Sequence, residues 1–198
     1  HLGIDEWIVL GHSFHAQIAL AYANKYPAQT SRLVLVAGVP FSFAELGSVA
    51  ESFWDAHPAE ERKRQHIANR KAIDDVLSTT VPGRQFAVNY LGEAAKYWVD
   101  STYDATSLWE GVETSPVFER LVAKLPSQSE ARSALQKLRT PTLVILGKLD
   151  YAIPYTAWEG VIDGLRNLDY VLLEEDGHNP QTEFPERFDA ALIDWLRS

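Results

Sequence analysis

Apolar residues fall in short, nearly unbroken blocks at four places: Trp7–Leu10, Leu33–Ala37, Thr142–Leu146 and Tyr170–Leu173. Each block is rich in β-branched and aliphatic side chains and lacks polar alternation. That pattern belongs to strands buried on both faces, as in a parallel sheet. Between them the apolar period lengthens to that of a helix, over about 14–26, 154–166 and 185–197. Pro27 closes the first of these segments, and Pro185 opens the last with Phe188, Leu192, Trp195 and Leu196 on one stripe. Strands that alternate with helices predict right-handed βαβ units and an α/β fold, a parallel sheet flanked by helices.

From Pro40 to Arg139 the pattern is different. Helical periodicity recurs over Phe43–Ala56, Ala59–Leu77, Gly83–Val99, Leu108–Leu125 and Ser129–Leu138, with no convincing strand. An all-helical block between two strands of a parallel sheet predicts a lid over the strand ends, where open α/β sheets place their ligands. The organisation expected is a core in two parts, 1–40 and 140–198, with the helical lid at 41–139.

Composition narrows the function. The 198 residues are 46% hydrophobic, enough for one domain with a sizeable core. A formal net charge of −9 argues against nucleic acid or an anionic membrane as partner. The basic run "ERKRQH" (61–66) reads as a solvated helix face. No apolar run approaches the roughly 20 residues of a membrane span, and no signal-peptide pattern opens the chain. The absence of cysteine excludes disulfides and thiolate chemistry and leaves the cytoplasm as the default compartment. No phosphate loop and no paired metal-ligand spacing are present, so neither cofactor nor metal is expected.

The candidate chemistry begins at "GHSFH", residues 11–15. A serine on a tight turn between a strand and a helix exposes its hydroxyl at the sheet edge, and the N–H of Phe14 is a candidate oxyanion donor. Ser13 could equally be a plain helix N-cap. A serine nucleophile needs a base to take its proton and an acid to orient that base. "TLVILGKLD" delivers Asp150 just past one strand, and "YVLLEEDGHNP" delivers His178 just past the next. Serine, acid and histidine in that order, each beyond a strand's C-terminal end, favour a triad over three unrelated loop residues.

"GHSFHAQIALAYANKYP", "PTLVILGKLDYAIP" and "EEDGHNPQTEFPERFDAALIDWL" together resemble the elbow, acid and histidine segments of the α/β-hydrolase fold superfamily. The resemblance is strongest to its proline iminopeptidase-related branch, and "YWVDSTYDATSLWEGVE" (97–113) is similar to part of that branch's lid. The resemblance implies Ser13 as nucleophile, Asp150 as acid, His178 as base, and hydrolysis of a small ester or N-terminal prolyl amide through an acyl-enzyme. In iminopeptidases, lid carboxylates hold the substrate's free amino group. Glu110 and Glu113, placed i, i+3 on one helix face, are the candidates here. Trp109 and His12 are further candidate pocket residues, with Trp54, Trp98, Phe86 and Tyr97 as possible apolar lining.

The sequence departs from the family pattern in two ways. His15 stands where the elbow pentapeptide normally ends in glycine. It is read as a packing variation, with a polar group tuning Ser13 or His178 as the alternative. The family's sheet also has strands before the elbow and a loop that donates a second oxyanion N–H, none of which precedes Trp7. With no methionine and a start at His1, the chain is expected to be the C-terminal part of a longer protein. A missing segment or a second chain would then cover the Trp7–Leu10 strand edge, which is otherwise a pairing site. Loss of one oxyanion donor costs about 3 kcal/mol of transition-state stabilisation. The competing reading is therefore a small-ligand-binding, receptor-like protein that keeps the fold without efficient turnover.

Overall fold

The computed structural model describes residues 3–39, 41–115, 117, 120, 124 and 126–198, with the backbone alone at Phe43. Four strands, β1 (Trp7–His12), β2 (Thr30–Val36), β3 (Thr142–Gly147) and β4 (Leu168–Leu173), form one sheet in the order β1-β2-β3-β4. All three pairings are parallel, in agreement with the unbroken apolar blocks.

Strand alternation divides the core between the two faces. Leu33 and Leu35 of β2 join Val144 and Leu146 of β3 beneath helix α1 (His15–Lys25), which contributes Ala16, Ala19, Leu20 and Ala23. That i, i+3, i+4, i+7 stripe, alanine at three of its four positions, lets the helix lie close to the sheet. On the other face, Val34, Val36, Leu143 and Ile145 pack against Phe188 and Trp195 of the C-terminal helix Pro185–Arg197. Beside them, β1 pairs with β2 only, among the described residues. Ile8 and Leu10 are 53% and 47% exposed there.

Between β2 and β3 the chain forms α2 (Phe43–Ala56), α3 (Glu60–Thr79), α4 (Pro82–Gly92), α5 (Ala94–Tyr97) and α6 (Gln128–Lys137). Helix α6 carries a reciprocal cap between Ser127 and Glu130. Beyond β4 come the short α7 (Pro180–Glu183) and then α8, the C-terminal helix already described.

Three helical expectations are corrected. The periodicity over 154–166 yields only a 3₁₀ turn, Tyr155–Trp158. Ala157, Trp158 and Val161 are buried at helical spacing, but Gly160 and Gly164 sit at φ 72° and 78° and end regular structure. The segment 83–99 breaks at Glu93 (φ −92°, ψ 9°) into α4 and α5. The helix expected over Leu108–Leu125 falls partly outside the described residues, and its described start is a 3₁₀ turn, Thr106–Trp109.

The basic run of α3 is also more than a solvated face. Arg62 donates to the carbonyls of Ala95, Trp98 and Val99, which caps the C-terminal end of α5. His66 and Arg70 meet Glu93, which Lys96 also reaches at 2.9 Å. Burial alone would raise the Glu93 carboxyl, but the hydrogen bonds from His66 and Lys96 bring it down to about 2. Among the described residues no helix is long and apolar enough to cross a membrane, and no group of three or more ligating side chains could hold a metal.

Candidate active site

β1 ends at His12, and the chain turns into α1 through Ser13 and Phe14. Ser13 sits at φ 54°, a left-handed conformation that costs a non-glycine residue stability and recurs at functional turns. The Ser13 N–H donates to the Val36 carbonyl at 2.8 Å, and the Ser13 carbonyl accepts from Ala16 N–H at 3.0 Å, so both neighbouring elements hold the turn. Close packing at the turn falls to two glycines outside its last position. A Cβ on Gly11 would overlap the His15 carbonyl, and one on Gly38 would meet Ser13 and Ala16. His15 itself is exposed, so the histidine displaces nothing.

The three residues expected to form a triad are brought together. Ser13 Oγ lies 3.0 Å from His178 Nε2, and His178 Nδ1 lies 2.7 Å from Asp150 Oδ2. A carboxylate only accepts, so the Nδ1 proton goes to Asp150 and Nε2 is left to accept from the serine hydroxyl. Asp150 and His178 are each 1% exposed. Asp150 Oδ1 accepts from the N–H groups of Ala152 and Ile153 at 2.9 and 2.8 Å, which turns Oδ2 toward the imidazole. Gly147 matters here too, because a Cβ on it would collide with the Asp176 and Gly177 carbonyls of the histidine loop.

The helical segment reaches both loops. Tyr151 N–H donates to the Lys96 carbonyl at 3.0 Å, and His178 N–H to the Tyr97 carbonyl at 2.9 Å. Val99 N–H donates to Glu183 Oε1 at 2.7 Å. Burial raises the Glu183 carboxyl to about 7, opposed by this hydrogen bond.

A cleft of about 510 Å³ opens above Ser13 and His178. Its rings form a continuous series: Phe86 meets Trp109, Trp109 meets Tyr90, Tyr90 stacks on Tyr97, and Tyr97 meets His178 edge-on at 4.9 Å. Trp98 also lines the cleft, whereas Trp54 packs against His66 and Tyr151 instead. Trp109, Glu113 and His12 line the cleft.

Glu110 does not line the cleft. "WEGVE" is not helical: Glu110 is extended and Gly111 sits at φ 71°, so the shared face expected for Glu110 and Glu113 does not form. Sequence reasoning missed Tyr90, whose Oη accepts from Asn179 Nδ2 at 3.1 Å. Its i+4 spacing from Phe86 on α4 was the signal available. A second cleft, about 460 Å³, lies at the opposite end of β3 and β4, away from Ser13.

Residues 1–185 match the family described as alpha/beta hydrolase fold. The chain belongs to that family. It is 31% identical to the AB hydrolase superfamily protein YclE of Bacillus subtilis (strain 168), over 98% of this chain and 70% of that protein. It is 23% identical to a proline iminopeptidase of Clostridioides difficile (strain 630), over the whole of this chain and 68% of that protein. A 2-hydroxymuconate semialdehyde hydrolase of Pseudomonas putida is 28% identical, over 98% of this chain and 63% of that protein. Among solved structures, a thermophilic esterase from Thermogutta terrifontis superposes with a TM-score of 0.59 at 19% identity, over 98% of this chain and 65% of that one. That last likeness shows the fold alone. The chain thus spans about two thirds of the length of these relatives.

Proposed function

We propose that this protein is a serine hydrolase that cleaves a small carboxylic ester through an acyl-enzyme. The observation that carries the reading is the unbroken series Ser13 Oγ, His178 Nε2, His178 Nδ1, Asp150 Oδ2, at 3.0 and 2.7 Å, beside a left-handed serine. Ser13 Oγ attacks the ester carbonyl while His178 takes its proton at Nε2. The tetrahedral oxyanion takes a hydrogen bond from Phe14 N–H, at the start of α1. His178 then returns the proton to the departing alkoxide, and the alcohol leaves. Water, deprotonated by the same nitrogen, releases the acid and restores Ser13. Asp150 stays ionised throughout and holds the imidazole in one tautomer.

In this reading residues 41–139 form a lid, and its aromatic series presents a flat apolar wall to the substrate. An N-terminal prolyl amide is the second candidate substrate, favoured by Glu113, a residue of the cleft lining whose carboxylate would pair with a free amine. Without Glu110 beside it, that recognition rests on one carboxylate, which ranks the ester first.

Labelling with a fluorophosphonate, followed by assays on p-nitrophenyl acetate and prolyl-naphthylamide, tests both. The expected result is one adduct on Ser13 and ester turnover. Ser13→Ala should reduce that turnover by roughly 10⁶-fold. Absence of an adduct would overturn the hydrolase reading in favour of a ligand-binding role. Prolyl turnover above ester turnover would reverse the substrate order.

A further inference from the structure

His12, the residue before the nucleophile, makes a contact that the proposed chemistry leaves unused. Its Nε2 lies 2.8 Å from the backbone carbonyl oxygen of His178. A carbonyl only accepts, so Nε2 carries the hydrogen and Nδ1 is bare. The two rings lie 5.0 Å apart, centroid to centroid, tilted by 55°.

The peptide groups around His178 are therefore held from two directions. Its N–H goes to the Tyr97 carbonyl of the helical segment, and its carbonyl takes the hydrogen of His12 from the end of β1. The second tie spans 166 positions in sequence and ends one residue from Ser13. It couples the serine's own strand directly to the loop that carries the base, with no part of the helical segment between them.

We propose that His12 is a positioning residue that yokes the nucleophile turn to the His178 loop and so sets the distance from Ser13 Oγ to His178 Nε2. The inference rests on the serine-hydrolase reading above. Burial, and then the neighbouring His178, push His12 down to about 4, against the pull of its hydrogen bond; His15 adds a small push in the same direction. His12 thus stays neutral at working pH. A neutral ring beside His178 adds no charge repulsion when that imidazole takes up the serine proton.

Three variants test this: His12→Phe keeps a ring without a donor, His12→Gln keeps a donor at similar reach, and His12→Ala removes both. With p-nitrophenyl acetate, His12→Phe and His12→Ala should lose kcat by about 10- to 100-fold with KM little changed, because a small misplacement of reacting atoms is costly. His12→Gln should recover most of that loss, at melting temperatures close to the parent's. The proton on His178 Nδ1, followed by NMR in the resting protein, should broaden and exchange faster in His12→Phe than in His12→Gln.

Equal kcat in all three variants, or equal losses in His12→Phe and His12→Gln, would overturn the yoke. A rise in KM at constant kcat would overturn it too, and return His12 to the substrate wall. If the parent protein neither labels nor turns over, the hydrolase reading fails. The NMR comparison still decides the yoke in that case: faster exchange in His12→Phe supports it and unchanged exchange sinks it.

Discussion

The sheet and helix α3, in the helical segment between β2 and β3, are held by different forces. Residues 33–36 and 143–146 are at most 1% exposed, and what they gain is dry apolar contact on both faces. Helix α3, by contrast, is 20 residues long without one buried residue. It is tied through polar contacts: Arg62 on three carbonyls, and His66 and Arg70 on Glu93. Packed cores are stiff and tolerate little displacement, whereas charged hydrogen bonds near solvent can be exchanged for water at modest cost. Groups that need a fixed 3 Å geometry are mounted on the sheet, and rings that must fit a substrate are mounted on the helices. The two systems meet at the loops that carry the acid and the base, through Tyr151 N–H on the Lys96 carbonyl and His178 N–H on the Tyr97 carbonyl.

Three substitutions probe that division. Asp150→Asn, on the sheet side, leaves the fold intact but presents a donor to Nδ1 and favours the wrong tautomer. It should lower kcat on the order of 10⁴-fold with KM almost unchanged. A loss confined to KM would show that the sheet end does not carry the chemistry. On the helical side, Arg62→Ala strips the donor from three carbonyls and should destabilise the protein by about 2 kcal/mol, measured by urea unfolding. Its main kinetic effect should be a higher KM for bulky aromatic esters, with kcat on p-nitrophenyl acetate nearly kept. A collapse of kcat equal to that of Asp150→Asn would erase the distinction between the two regions.

Glu183→Gln should have the smallest effect, and one whose sign depends on pH. The Glu183 carboxyl is raised to about 7 in the folded protein, against 4.5 as its ordinary value. The folded state thus holds this proton more tightly than the unfolded chain does. Its contribution is full below about 4.5 and is lost as pH rises through 7. Glutamine keeps an acceptor for Val99 N–H and cannot ionise, so the variant should melt higher than the parent at pH 8 and at the same temperature near pH 4. A lower melting temperature at pH 8 would mean that the ionised carboxylate is the better latch.

These contrasts also explain what the sequence revealed. The four strands and helices α1 and α8 were legible because burial writes its period directly into the residues, as the Phe188–Leu192–Trp195 stripe illustrates. Ser13, Asp150 and His178 were legible because a parallel sheet forces such residues onto strand ends. The polar ties were not legible, since nothing local distinguishes Arg62 from the solvated bases beside it. The bond from His12 to His178, and that from Asn179 to Tyr90, exist only once distant segments meet. Two of the three corrected helical readings share a cause: a left-handed glycine, 111 in one and 160 in the other, interrupts a run whose apolar spacing still fits a helix.

The exposed histidine at the fifth position of the elbow has a practical use. Position 15 borders the cleft, points to solvent, and is free of the packing demand that Gly11 and Gly38 meet instead. The 198-residue sequence contains no cysteine, so His15→Cys would install a single thiol at the rim of the site. A fluorophore attached there would report each arrival and departure of a ligand without touching Ser13, His178 or Asp150.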